Sequence, residues 1–328
     1  MGGIVDSWSR EFELRLVLTG GCDRKDVLIA QASRPGNRTI VPPANLQKYR
    51  LDRLMAGSRQ KYAILEILYT LRSTRRGGEP PMVYDTRLAR ERDFHNERFG
   101  APEERKQDAF YYFAARTAIH DYWRRVEAAA DGKEALEYGC ADGRSSIRLA
   151  GSVKRITGID LSDVAIRQAN EEASRRALHN VTFQVDNAED MSLPDASFDL
   201  VFGSGILHHL VLEKALSEIC RVLRPGGKAI FFEPLGHNPM INLYRNRTPE
   251  ARTIDEHPLL KSDLDIVRRH FSKCELEFFS LTTLAAIPFF GSRFGSAIRT
   301  AGEQVDKLLL KLPGLRWQAW ITVMDLEK

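Results

Sequence analysis

The chain is short of the features that mark several large classes of protein. Its four cysteines, Cys22, Cys140, Cys220 and Cys274, lie far apart and form no CxxC pair. That spacing suggests neither a disulfide framework nor a zinc cluster, and it fits a reducing, cytoplasmic setting. No apolar run approaches the roughly 18 residues needed to cross a bilayer. The longest, residues 281–290, is interrupted by Thr282, Thr283 and Pro288, so no transmembrane segment is expected. The opening stretch MGGIVDSWSREFEL has acidic residues where a secretory signal needs an apolar core, and no such leader is expected. Solenoid repeats are missing too. Charge of either sign is in small excess only, with 48 Lys and Arg against 44 Asp and Glu. A net charge of +4 helps to retain an anionic ligand but does not demand one.

What is present is a globular composition: 43% hydrophobic and 28% charged over 328 residues. That length accommodates one large domain or a domain with extensions. Texture changes near residue 90. Upstream, Phe12, Leu14, Leu16 and Leu18 alternate with polar neighbours, pass Thr19-Gly20-Gly21 and resume at Val27, Leu28 and Ile29, which predicts a small hairpin. RPGNRTIVPP reads as a loop, residues 46–71 carry apolar groups at helical spacing, and RSTRRGGEPP ends that helix. The basic run RSTRR suits a solvated linker or a phosphate contact. Helices are predicted over 86–98 and 107–130. From residue 133 the apolar segments EALEY, RITGI, VTFQV, FDLVF and KAIFF alternate with amphipathic stretches, the pattern of a mostly parallel sheet. Residues 274–283 and 316–326 are the last two strand candidates, and they enclose a helical insertion.

EALEY runs into Gly139-Cys140-Ala141-Asp142-Gly143 and then into SSIRLA. Backbone with little side chain therefore bends tightly at the carboxyl end of a parallel strand. Open α/β sheets bind ligands there, because outward N–H groups and a helix N-terminus favour polar or anionic atoms. Asp160 ends the next strand, 21 residues beyond Gly139, at the spacing that sets a carboxylate under two ribose hydroxyls.

The stretches ALEYGCADG, ITGIDLS, VDNAEDMSLPDASFDLVFGSGILHHL and RVLRPGGKAIFFEP, in this order, resemble the class I S-adenosylmethionine-dependent methyltransferases of the small-molecule type over about residues 90–328. The resemblance implies an α/β fold: a Rossmann-like, seven-stranded, mostly parallel sheet flanked by helices. Here it would carry an N-terminal α+β extension over residues 1–85 and a methyltransferase domain over 86–328. Insertions fall at 235–262 and 284–315, the second a helical lid. The implied cofactor is S-adenosyl-L-methionine. Glu137, Gly139, Ala141 and Gly143 would border its methionine part, Asp160 would accept both ribose hydroxyls, and Leu161 would pack on adenine. Asn187 and Ala188 would meet the adenine edge, and Gly203 would bring a carbonyl near the ammonium. Two positions depart from the family pattern: Asn187 stands where aspartate is usual, and Ala141 replaces the second motif glycine. Gly203 also suits simple close packing of strands.

For catalysis the resemblance points to a substrate-facing histidine after the fourth strand, where His208 and His209 stand; His208 is the candidate base. Glu233, His237 and Tyr244, beyond the fifth strand, complete the catalytic candidates. Arg245, Arg247 and Arg252 either neutralise Asp255 and Glu256 locally or clamp an anionic substrate. No metal site is expected.

The expected activity is methyl transfer to O, N or C of a small hydrophobic metabolite such as a natural product, a quinone or a lipid-like molecule. One alternative is an RNA or protein methyltransferase with residues 1–85 as binding module, motivated by 18 Lys and Arg against 12 Asp and Glu in the first 100 residues. Against it, Gly203-Ser204-Gly205-Ile206 replaces the NPPY-like tetrapeptide of amino-methylating enzymes. The other is a catalytically silent cofactor-binding protein, suggested by Ala141 and Asn187. The expected partner is a small-molecule acceptor, not nucleic acid. Peripheral membrane contact through Phe289, Phe290, Phe294 and residues 308–310, and assembly into a homo-oligomer, are left open.

Overall fold

The computed structural model describes residues 13–17, 26–33, 48–50, 86–100, 106–248, 251–253 and 255–328. Contacts divide the chain into two units, Met1–Thr86 and Arg87–Lys328. In the first, β1 (Glu13–Val17) pairs antiparallel with β2 (Asp26–Ser33), which pairs antiparallel with β3 (Lys48–Arg50). The first pair is the hairpin that the alternation predicts. β3 corrects the start of the helix read from residue 46: Lys48, Tyr49 and Arg50 extend along β2, before the helically spaced apolar residues begin at Leu51. The rest of that helix, the loop RPGNRTIVPP and the run RSTRR lie outside the described residues.

The second unit opens with α1 (Thr86–Gly100), α2 (Lys106–Ala114) and α3 (Arg116–Ala130). The helix expected over 107–130 is thus two, because Ala115 leaves the helical region at ψ 7°. In α3, Ala118, Tyr122, Val126 and Ala130 are buried, a four-residue repeat that lays one stripe on the sheet. The sheet elements then alternate with helices: β4 (Glu134–Tyr138), α4 (Arg144–Leu149), β5 (Arg155–Asp160), α5 (Asp163–Arg175), β6 (Val181–Val185), β7 (Phe198–Ser204), α6 (Leu212–Val222) and β8 (Leu223–Pro234). After α7 (Pro239–Arg247) and α8 (Leu264–His270) come β9 (Lys273–Phe279), α9 (Arg293–Leu309) and β10 (Ile321–Glu327).

The seven strands are ordered β6-β5-β4-β7-β8-β10-β9. All neighbours are parallel except at β10, which runs antiparallel to both β8 and β9. The chain winds outward from β4 in one direction as far as β6, then restarts at β7 on the other side. The strand order therefore reverses between β4 and β7, and loops leaving their carboxyl ends diverge to open a crevice. Helices α3, α4 and α5 cover one face through Val126, Leu149 and Ile166; α6 and α8 cover the other through Leu216, Ile219 and Val267. Burial on both faces explains why the strands read as nearly continuous apolar runs.

The insertion before β10 contains a 3₁₀ segment, Thr283–Phe289, followed by α9. Asp306 ties them together, accepting from the Leu281 and Thr282 N–H groups and the Thr282 hydroxyl at 3.0, 2.7 and 2.6 Å. Gly302 lets the helix approach so closely that an added Cβ would sit 3.0 Å from the Thr283 nitrogen. Phe289, Phe294 and Leu308 are left exposed. Among the described residues no helix is long and apolar enough to cross a membrane.

One glycine fixes how closely the two central strands meet. A Cβ on Gly203 in β7 would lie 2.6 Å from the Tyr138 carbonyl oxygen and 2.9 Å from Ile206 Cγ2. Gly203→Ala must therefore push β7 away from the end of β4. It should cost about 1–3 kcal/mol of stability, read as a lowered midpoint in urea unfolding with an unchanged slope. A midpoint equal to wild type would show that the strands have room to spare.

Candidate active site

Three left-handed residues shape the loop after β4: Gly139 at φ +74°, Ala141 at φ +49° and Gly143 at φ +77°. Glycine adopts this region freely, whereas a Cβ costs about 1–2 kcal/mol, so Ala141 holds the bend at a penalty. Two carbonyl contacts hold the bend, since the Gly139 and Cys140 N–H groups both donate to the Ile159 oxygen at 2.9 and 2.8 Å. Gly143 begins α4 and faces inward, where a Cβ would strike Phe183 and Ala169.

Asp160 locks this loop to the next one. Its carboxylate accepts the Ala141 N–H at 2.8 Å on one oxygen and the Ser162 N–H at 2.8 Å on the other. Each oxygen keeps a further lone pair for a hydroxyl. Ser162 in turn caps α5, its hydroxyl accepting the Ala165 N–H at 3.1 Å. Below the loop, Glu137 is buried and accepts both the N–H and the hydroxyl of Ser146. Burial pushes its carboxyl up to about 7, aided by the charge of Asp160 and opposed by the Ser146 hydrogen bonds. After β6, Asn187 accepts the Glu189 N–H at 3.0 Å through its side-chain oxygen, and the Ala188 carbonyl accepts the buried Tyr138 hydroxyl.

Glu137, Gly139, Ala141, Asp160, Asn187 and Ala188 border a cavity of about 680 Å³ at the carboxyl ends of β4, β5, β6 and β7. Helix α1 forms its far wall, with Arg87, Leu88, Glu91, His95, Arg98 and Phe99. The turn after β7 supplies Ser204, Gly205, Ile206, His209 and Leu210, and Tyr112 adds an aromatic edge.

Glu233, fully buried on β8, builds that turn. One of its oxygens accepts the Ile206 and Leu207 N–H groups at 2.9 and 2.8 Å, while the other meets His208 Nδ1 at 2.8 Å. His208 is consequently drawn behind the wall, and its neighbour faces the cavity. His209 Nδ1 lies 3.1 Å from Glu91 Oε2, and its Nε2 is 3.9 Å from Glu256 Oε1. Burial and the nearby His208 lower the His209 pKa and favour the neutral ring. Burial works against charge on Glu91, but interactions with His209, His95 and Thr253 outweigh it and hold its pKa far below the ordinary carboxylate range. Burial raises Glu256, although Arg245 and Arg252 stand 2.7 and 3.4 Å from it.

The structure thus gathers Glu137, Gly139, Ala141, Asp160, Leu161, Asn187 and Ala188 around one cavity. Gly143 and Gly203 are not in its wall, because both serve packing. None of the four catalytic candidates lines this cavity. His208 and Glu233 bond to each other behind the wall. His237 Nε2 accepts the Lys261 N–H at 2.9 Å outside it, and Tyr244 is exposed on α7. The wall also holds Glu91 and His95, which the sequence motifs do not single out, and His209 in place of its neighbour His208. The four-residue spacing of Glu91 and His95 was visible, but nothing local placed α1 over the crevice. Residues of the 284–315 insertion do not line this cavity either.

Comparison with known proteins bears directly on this geometry. Residues 136–231 match a family profile described as a methyltransferase domain. Over that stretch the chain is similar to methyltransferase domains, in line with the motifs that run through it. Among similar proteins, the 27-O-demethylrifamycin SV methyltransferase of Amycolatopsis mediterranei is 35% identical over 117 residues, covering 35% of this chain and 43% of that protein. An O-methyltransferase of Penicillium expansum is 33% identical over 113 residues, covering 34% and 41%. The chain therefore spans less than half the length of these two relatives. The geranyl diphosphate C-methyltransferase of Streptomyces coelicolor A3(2), solved with Mg²⁺, geranyl diphosphate and S-adenosyl-L-homocysteine, shares the fold at a TM-score of 0.52 and 12% identity, covering 74% of this chain and 97% of that one.

The residues present fit the methyltransferase cofactor. Asp160 is fixed by two backbone donors yet retains acceptor capacity, the glycine loop brings bare backbone to the cavity, and Asn187 lines the same cavity. Glu137 supplies a test of this electrostatic arrangement. A carboxyl raised from 4.5 to about 7 on folding binds more protons in the native state than in the unfolded state between those values. Its contribution to stability is present below pH 4.5 and is lost as pH rises to about 7. The unfolding free energy of wild type minus that of Glu137→Gln should fall by about 3 kcal/mol across this window and then level off. A pH-independent difference would show that Glu137 ionises as it does in the unfolded chain.

Proposed function

We propose that this protein transfers a methyl group from S-adenosyl-L-methionine to a small, largely apolar acceptor held between the glycine loop and α1. The observation carrying this reading is the single cavity in which Asp160 and the loop after β4 face Leu88, Phe99, Tyr112, His209 and Leu210. A volume of about 680 Å³ falls within the usual range for small-molecule sites, roughly 300–1,000 Å³. The cofactor supplies an electrophilic methyl group when bound. The chain's own part is positioning: Asp160 fixes the ribose, the bend at Gly139 and Ala141 fixes the chain beyond it, and α1 closes the side from which an acceptor approaches. Holding two reactants in line can by itself lower a barrier by about 7–11 kcal/mol. The acceptor side offers His209, His95 and Glu91 as its polar groups, which suits an oxygen nucleophile. The similar proteins from Amycolatopsis and Penicillium are both named for O-methylation, in keeping with this assignment.

The test is transfer of labelled methyl from S-adenosyl-L-methionine to a panel of phenolic, quinol and polyketide hydroxyl acceptors. Transfer to at least one of them is expected. Asp160→Ala should raise the cofactor KM by roughly 10- to 100-fold, the loss of one or two charge-assisted hydrogen bonds. Labelled product formed by Asp160→Ala with an unchanged KM would remove this residue from the cofactor site.

A further inference from the structure

Glu91, His95 and His209, the polar groups of the acceptor side, are also three metal-ligating side chains gathered at one point. Glu91 and His95 sit one helical turn apart on α1, so their side chains project from the same face. His209 reaches them from the turn after β7. Glu91 Oε2 lies 3.1 Å from His209 Nδ1 and 3.7 Å from His95 Nε2, and the three ligand atoms lie within 4.8 Å of one another. Bonds of about 2.0–2.1 Å to a tetrahedral ion put neighbouring ligand atoms about 3.3 Å apart, a spacing that Glu91 and His209 nearly have and that His95 reaches by moving toward both.

We infer that Glu91 Oε2, His95 Nε2 and His209 Nδ1 form a binding site for a divalent transition-metal ion of the zinc type at the acceptor end of the cavity. One hydrogen bond and one nearby carboxylate are of the kind that supports a ligand set. Ligating carboxylates are held at their second oxygen and ligating imidazoles at their second nitrogen. Here the Thr253 hydroxyl donates to Glu91 Oε1, and His209 Nε2 faces the carboxylate of Glu256. Arg245 and Arg252 pair with Glu256 and so keep it beside the ring as an orienting group. Two imidazoles and one carboxylate suit zinc, iron or cobalt over magnesium, which favours oxygen ligands alone.

All three residues line the cavity, so the remaining coordination position opens into it. The ligand class for that position is an oxygen acceptor: a hydroxyl, phenol or enol, which gives its proton to solvent as its oxygen binds the ion. Metal coordination lowers the pKa of such an oxygen by several units. This role for the ion rests on the methyltransferase reading; the site itself does not.

The experiment is equilibrium dialysis of the tag-free full chain against Zn²⁺ alone, with Co²⁺ as a spectroscopic substitute. One ion per chain is expected, with visible absorption from bound Co²⁺ and no competition by Mg²⁺. Glu91→Gln and His95→Ala should each weaken Zn²⁺ binding at least 10-fold. The surface variant Glu213→Ala/His270→Ala, which removes an exposed histidine–carboxylate pair, should leave it unchanged. Failure of wild type to bind one Zn²⁺, wild-type affinity in both site variants, or loss of the ion in the surface variant would overturn the site. S-adenosyl-L-homocysteine binding, measured on the same samples, separates the two readings. Homocysteine-product binding without metal overturns the metal site alone, whereas metal binding without it upholds the site and removes the cofactor reading.

Discussion

Asp160 is the residue on which the functional half of the molecule depends. It ends β5, and each of its two oxygens takes one backbone N–H, from Ala141 on one side and Ser162 on the other. Those two bonds fasten the bend after β4 to the start of α5. They also preset the carboxylate, so a ligand hydroxyl meets an acceptor that needs no rearrangement. Ala141 can then hold a left-handed conformation unusual for a residue with a Cβ, because its own N–H is committed to that bond. The cavity exists because strand order reverses next to this point, and the two Asp160 bonds hold the bend that lines it.

A second buried carboxylate organises the other wall. Glu233 spends both oxygens on the turn that follows β7, two backbone N–H groups and one imidazole. A carboxylate buried in this way is stable only with such partners, and the result is a rigid turn. That turn sends His208 inward and presents His209. Two adjacent histidines, identical in chemistry, thereby take opposite positions, one in the wall's support and one on its surface.

The sheet was legible in the sequence because each strand of a doubly covered sheet must be apolar and each crossover helix amphipathic. Seven strand candidates from EALEY onward correspond to β4–β10, and the spacing from Gly139 to Asp160 picked out two residues that line one cavity. The acceptor end was not legible, for reasons of geometry. Which of His208 and His209 faces the cavity depends on Glu233, 25 residues beyond His208 and on another strand. That α1 covers the crevice depends on contacts such as Arg87 with the His209 carbonyl and Glu189, far apart in the chain. For the same reason the cysteine spacing spoke against a zinc cluster but was silent about an ion held by Glu91, His95 and His209. Gly203 shows the reverse case: its smallness was visible, while its cause, the Tyr138 carbonyl, was not.

The central claim is that the bend after β4 and the Asp160 carboxylate form a preset receptor for the methyltransferase cofactor. Calorimetric titration of the purified chain with S-adenosyl-L-homocysteine tests it most directly. The account predicts one site per chain with micromolar affinity; the absence of binding up to millimolar concentration would contradict it.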